Sequence, residues 1–95
     1  MAIYKSFRGR TTEAWHQLTE DEREALLAKT DDARSQVGGK TLLVCDCAWS
    51  SDEWWFFGME EFPDIEAVQK CAKLRADFEW PHYWEGESLL GTKME

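Results

Sequence analysis

No apolar run in this sequence exceeds a few residues, far short of the ~20 that a membrane-spanning helix requires. A membrane-spanning helix is not expected. Positive charge is also scarce: 11 Lys and Arg stand against 19 Asp and Glu, a net charge of −8. With a pI near 4.7, phosphate backbones and anionic lipid surfaces should repel the chain, so neither nucleic acid nor a membrane surface is expected as a partner. The three cysteines are an odd number, which argues against a disulfide-stapled secreted fold. Residues 1–10, MAIYKSFRGR, lack the apolar core of a secretory signal, and cytoplasmic residence is the expectation. Internal repeats and low-complexity tracts are missing too. So are a nucleophile triad, a phosphate-cradling glycine loop and a paired metal motif, which disfavours covalent catalysis and nucleotide use.

What is present is a packed core. Hydrophobic residues make up 43% and aromatics 14%, including six Trp, too rich for a disordered acidic segment. Ninety-five residues suit a single domain spanning the whole chain. At that size folding buries roughly 65% of the extended chain's area, so association would add welcome stability.

The pattern of elements can be read in order. Ala2 to Phe7 alternates as a first strand. Thr12 to Val37 is helical in two parts, divided where Thr19 and Glu22 have the spacing of a capping box. Leu26, Thr30, Ala33 and Val37 then mark the buried stripe, widened by Ala25 and Leu27, and Gly38-Gly39 closes the helix. Lys40 to Trp49 and Glu53 to Phe62 read as an antiparallel hairpin about Ser50-Ser51-Asp52. Pro63 and Asp64 open another helix, with Val68, Cys71, Ala72, Leu74 and Phe78 inward. Pro81 interrupts it, Trp80 to Trp84 is a connector, and Glu87 to Met94 is the last strand.

This β-α-β-β-α-β order predicts the ferredoxin-like α+β fold, a four-stranded antiparallel sheet with two helices on one face. A hairpin centred on Ser51 pairs Cys47 with Trp55, Asp46 with Phe56 and Cys45 with Phe57. One face then carries Leu43, Cys45, Cys47, Trp55, Phe57 and Met59, and the other Leu42, Val44, Ala48, Trp54 and Phe56 with Asp46. A sheet with one wet side should alternate apolar and polar residues, but these strands are apolar on both sides. A second copy of the chain, packed face to face as a homodimer, is the expected cover.

The element order with two-sided apolar strands resembles the dimeric α+β barrel superfamily. The segment Ala14-Trp15-His16-Gln17-Leu18-Thr19-Glu20-Asp21-Glu22-Arg23 resembles the helix opening of its darcynin-like members. Trp55-Phe56-Phe57-Gly58-Met59-Glu60-Glu61-Phe62-Pro63-Asp64, a strand running into a Pro/Asp-started helix, is similar to a pattern found across the superfamily. The darcynin-like group brings no assigned activity. Neighbouring groups include cofactor-free monooxygenases, muconolactone-type isomerases, ring-modifying degradative proteins and haem-binding members. The resemblance therefore implies a pocket for a small apolar or aromatic ligand between sheet and helices.

Candidate site residues follow from chemistry. His82, between Trp80 and Tyr83 in the connector, is the leading acid or base, with Tyr83 as its hydrogen-bonding companion; His16 beside Trp15 is the other histidine. Asp46 interrupts an apolar strand, where a desolvated carboxylate with a raised pKa would shuttle protons. The plainer alternatives are half-exposed histidines and a solvated strand-end aspartate. Trp15, His16, Trp54, Phe56, Trp80 and Trp84 are the candidate ligand walls. Cys45, Cys47 and Cys71 read as small buried hydrophobes rather than zinc ligands, and Arg8 and Arg10 as solvated loop residues. The expectation is a homodimeric, aromatic-lined binding protein, acting without a dedicated cofactor as a monooxygenase or isomerase through His82, Tyr83 and Asp46. The rivals are a non-catalytic interaction or accessory subunit, and haem held by His82 or His16.

Overall fold

The computed structural model describes residues 1–94. The elements are β1 (Ile3–Thr11), α1 (Glu13–His16), α2 (Glu20–Gln36), β2 (Lys40–Asp46), β3 (Phe56–Phe62), α3 (Ile65–Asp77) and β4 (Trp84–Gly91), with a 3₁₀ turn over Trp80–His82 before β4. The sheet order is β2-β3-β1-β4 with every neighbouring pair antiparallel, which is the expected ferredoxin-like arrangement.

Local chemistry sets the helix starts. The Thr19 hydroxyl accepts from the Glu22 amide at 3.2 Å, and the Glu22 carboxylate accepts from the Thr19 amide at 2.9 Å, so the capping box opens α2. The Thr19 amide first, and the Thr19 hydroxyl after it, hold the Glu22 carboxyl below its ordinary range. Asp64 caps α3 by accepting from the Ala67 amide at 2.8 Å. Gly38, at φ 78°, supplies the left-handed residue that ends α2 without a Cβ clash.

Phe62, Ala33, Ala67, Val68 and Cys71 form the core between α2, α3 and the sheet, with Ile3, Val37, Leu74 and Phe78 packed around it. The α2 stripe is narrower than expected: Thr30 and Ala33 are buried, but Ala25 and Leu27 are exposed. On α3 the buried series is Ala67, Val68, Cys71 and Arg75, while Ala72 faces out. The helical period reaches Arg75 four residues after Cys71, and burial follows position rather than polarity.

The hairpin register about Ser51 holds near the turn. Cys45 pairs with Phe57 and Asp46 with Phe56, and the Cys47 amide donates to the Trp55 carbonyl at 2.9 Å. Between Thr41 and Leu43 the register slips, so a bulge removes Leu42 from the alternation that grouped it with Val44. Both hairpin strands are also shorter than expected, ending at Asp46 and beginning at Phe56. Alternation therefore does not govern Trp54 and Trp55. Trp54 lies under the guanidiniums of Arg8 and Arg10, 5.9 and 5.5 Å from its ring centre, on the face away from the helices.

The first and last strands are displaced relative to the sequence reading. β1 runs on through Arg8-Gly9-Arg10, expected to be a boundary, because Gly9 pairs with Gly86 on one side and Phe56 on the other. A Cβ at Gly9 would sit 2.6 Å from the Trp84 ring, so glycine here admits the indole rather than breaking the strand. β4 begins at Trp84 instead of Glu87 and ends at Gly91. Arg8 and Arg10 accordingly stand on a strand, salt-bridged across it to Glu87 and Glu85.

Candidate functional site

A cavity of about 320 Å³ lies between α2, α3 and the helix-facing side of the sheet, at the small end of the range for ligand sites, roughly 300–1,000 Å³. Its walls differ from end to end. Aromatic rings from β1, α1, β3, the 3₁₀ turn and β4 line one end: Phe7, Trp15, Phe56, Trp80, Tyr83 and Trp84. Trp15 and Trp80 meet edge to face, 6.2 Å apart at 88°, and Phe56 packs against Phe7 and Trp84 at 6.3 and 6.0 Å. Two connectors are laced together behind these rings. The Thr12 amide donates to the Tyr83 carbonyl at 3.0 Å and the Thr12 hydroxyl to the His82 carbonyl at 2.9 Å. Arg23 of α2 reaches back to donate to the carbonyls of Trp15 and His16 at 3.1 and 3.0 Å, its guanidinium 5.8 Å from the Trp15 ring. The aromatic wall is thus held by backbone hydrogen bonds and one arginine.

The other end is charged. Strand alternation puts Lys5 of β1 and Glu60 of β3 on the helix-facing side, directly opposite one another, and the period of α3 brings Arg75 down onto them. Arg75 grips Glu60 with both terminal nitrogens, at 3.2 and 2.8 Å, and donates to the Thr30 carbonyl at 3.4 Å. Both side chains are about nine-tenths buried, 7% exposed for Glu60 and 10% for Arg75. Burial works against the Arg75 cation, but the Glu60 hydrogen bond and charge outweigh it and push the guanidinium pKa up. Arg34 of α2 stands 3.9 Å from the same Glu60 carboxylate and 3.0 Å from Asp31. Lys5 is held below the ordinary lysine range, chiefly by burial, with Glu60 opposing and Arg75 adding to the effect. Thr30 Oγ1, Arg34 Nε and Arg75 Nε are buried without a hydrogen-bond partner among the described residues, and all three residues line the cavity.

The structure brings together only part of the predicted site. Trp15, Phe56, Trp80, Trp84 and Tyr83 share the cavity wall. His82 and Asp46 are exposed and do not line it. The His82 ring packs edge-on against Tyr83 at 5.3 Å. Asp46 corrects the expectation of a desolvated acid: at the end of β2 it accepts from the Ala48 amide at 3.0 Å, the plainer alternative. His16 is also exposed, its Nε2 3.2 Å from the Thr11 hydroxyl and its ring 5.9 Å from Trp55. Trp54 belongs to the opposite face, under Arg8 and Arg10. Cys71 is in the core and Cys45 pairs with Phe57 on the opposite face, so the sulfurs do not converge. Lys5, Arg34, Glu60 and Arg75 were missed. Arg75 falls on the buried period of its helix and Glu60 alternates in step with Phe62, so a charge at each of two inward positions was the available signal.

No protein-family model matches the chain, and no curated protein matches its sequence. Solved structures do share its fold. A protein provisionally described as a chlorite dismutase superposes with a TM-score of 0.78 at 17% identity, covering 100% of this chain and 46% of its own. The R173A mutant of the chlorite dismutase from Candidatus Nitrospira defluvii gives 0.73 at 17%, covering 94% and 39%. The same enzyme in complex with imidazole gives 0.70 at 15%, covering 98% and 40%. The chain therefore spans less than half the length of these structures, and the likeness establishes the ferredoxin-like α+β architecture.

Proposed function

We propose that this protein binds a small apolar or aromatic molecule in the cavity between its helices and sheet. The observation that carries the reading is the aromatic wall: rings from β1, α1, β3, the 3₁₀ turn and β4 converge on one space instead of packing it shut. Large rigid rings lose little entropy on binding and offer broad faces to a flat ligand. Chlorite dismutation, which names the similar structures, is not carried over at 12–17% identity. Of the residues first considered for proton transfer, Tyr83 alone lies on the cavity wall, so ligand binding is better supported than monooxygenase or isomerase chemistry through His82 and Asp46.

The same reading includes a homodimer. On the face away from the helices, Leu43, Phe57 and Leu89 are 49%, 45% and 73% exposed, and a second copy is the simplest cover for them. The rival is an interaction module in which the aromatics only support packing. The two separate in a titration of intrinsic tryptophan fluorescence against a panel of small aromatic metabolites. A saturable change that is weakened by Trp80→Ala supports the binding protein. An unresponsive signal across the panel, with the fold intact by circular dichroism, supports the interaction module.

A further inference from the structure

We propose that the ligand is an aromatic acid, its ring held among Trp15, Trp80 and Trp84 and its carboxylate seated at the charged end beside Lys5, Thr30 and Arg34. The inference rests on the binding reading above and adds the chemical class of the ligand.

Lys5, Arg34 and Arg75 line the charged end, opposed by the buried Glu60 and by Asp31, whose side chain is largely exposed and engages Arg34 from the solvent side. Glu60 commits both oxygens to Arg75 while also standing 3.9 Å from Arg34 and opposite Lys5, so one buried carboxylate is shared among three cations. In a chain of net charge −8, a cationic pocket floor runs against the surrounding field and needs a local reason.

The hydrogen-bond inventory points the same way. Among the described residues, the buried side-chain atoms without a partner are Thr30 Oγ1, Arg34 Nε and Arg75 Nε. The two guanidinium nitrogens can only donate, the Lys5 ammonium can only donate, and the hydroxyl is free to do so. A neutral hydrocarbon offers such a cluster nothing, and an amide or amine presents donors of its own. A carboxylate presents two acceptor oxygens with about four lone-pair sites, and its bonds to cationic donors are the stronger, charge-assisted kind. Burial in turn makes Lys5 costly to protonate, a cost an anion beside it would offset. The aromatic and charged ends belong to one cavity of about 320 Å³, small enough for a single ligand to present a ring to one end and a carboxylate to the other.

The test is isothermal titration calorimetry with matched acid and amide pairs: benzoate and benzamide, 2-naphthoate and 2-naphthamide, indole-3-acetate and indole-3-acetamide. For at least one pair the acid should bind about tenfold or more tightly than its amide, the scale of one charge-assisted hydrogen bond. Lys5→Met and Thr30→Val should each bring that ratio toward one, weakening the acid more than the amide. Thr30→Val removes a partnerless buried hydroxyl at nearly constant shape, so its melting temperature should hold or rise as acid affinity falls. Acid and amide binding equally to the wild type would overturn the anionic assignment and leave the binding reading standing. An acid preference that survives both substitutions would overturn the placement of the carboxylate. No binding of any pair to folded protein would remove both readings.

Discussion

Arg75 and Glu60 show what one buried pair asks of the residues around it. Each is taken almost wholly out of water, and the two parallel hydrogen bonds between them offset the desolvation only while both remain. Arg75→Met should therefore destabilise the fold by about 3–5 kcal/mol, since it strands the Glu60 charge. The double variant Arg75→Met with Glu60→Met should recover most of that loss, because two apolar side chains of similar length need no counter-charge. Urea denaturation of the wild type, both single variants and the double variant measures the coupling; independent, additive losses would show that the pair is not a unit. The candidate site was half legible at this scale. Trp15, Phe56, Trp80 and Trp84 stood out as large aromatics suited to line a pocket, and Tyr83, expected there only as a partner of His82, joins them on the wall. Lys5, Arg34, Glu60 and Arg75 did not, because a charged residue is usually solvated, and only the packing of α3 on β3 and β1 reveals these as buried.

At the scale of elements, the strands were read shorter or longer than they are wherever a glycine or a tryptophan stood at a boundary. Gly9 and Gly86 face one another across β1 and β4 and leave room for the Trp84 ring; a Cβ at Gly86 would run into the Arg8 carbonyl. Gly9→Ala should thus cost about 1–3 kcal/mol, the range for overpacking, and should swing the Trp84 indole out of the cavity wall. A lowered melting temperature together with a red-shifted tryptophan emission would report both effects. Unchanged emission would mean that the strands, rather than the ring, give way. The start of α2 was read correctly because Thr19 and Glu22 act on backbone groups one turn away; α3 starts two residues later than Pro63, with Asp64 as its cap and the proline outside the helix. The hairpin register was read correctly only as far as Leu43, because a bulge at Leu42 depends on the partner strand and leaves no mark in the alternation.

For the whole molecule, two layers give a slab 42 × 31 × 16 Å in extent, with helices on one side and a bare sheet on the other. That bare face is not uniformly apolar. Leu43, Phe57, Met59 and Leu89 lie beside the Arg8–Glu87 and Arg10–Glu85 salt bridges, an apolar patch with a polar border such as association surfaces have. Light scattering should report twice the chain mass of 11.1 kDa, and Phe57→Glu with Leu89→Lys should return it to the monomer without unfolding it. A wild type that stays monomeric at micromolar concentration would contradict the dimer.

The sequence by itself determined the order of elements, the caps of α2, the hairpin centre and the two-sided apolar character of β2 and β3, because each depends on neighbours within a few residues or on a period of two or 3.6. The tertiary structure alone decided which charges are buried, which aromatics share a cavity and where Trp54, His82 and Asp46 lie. Those outcomes depend on contacts between segments as far apart as Thr30 and Arg75, or Lys5 and Glu60. Packing, not local propensity, sets what such residues meet.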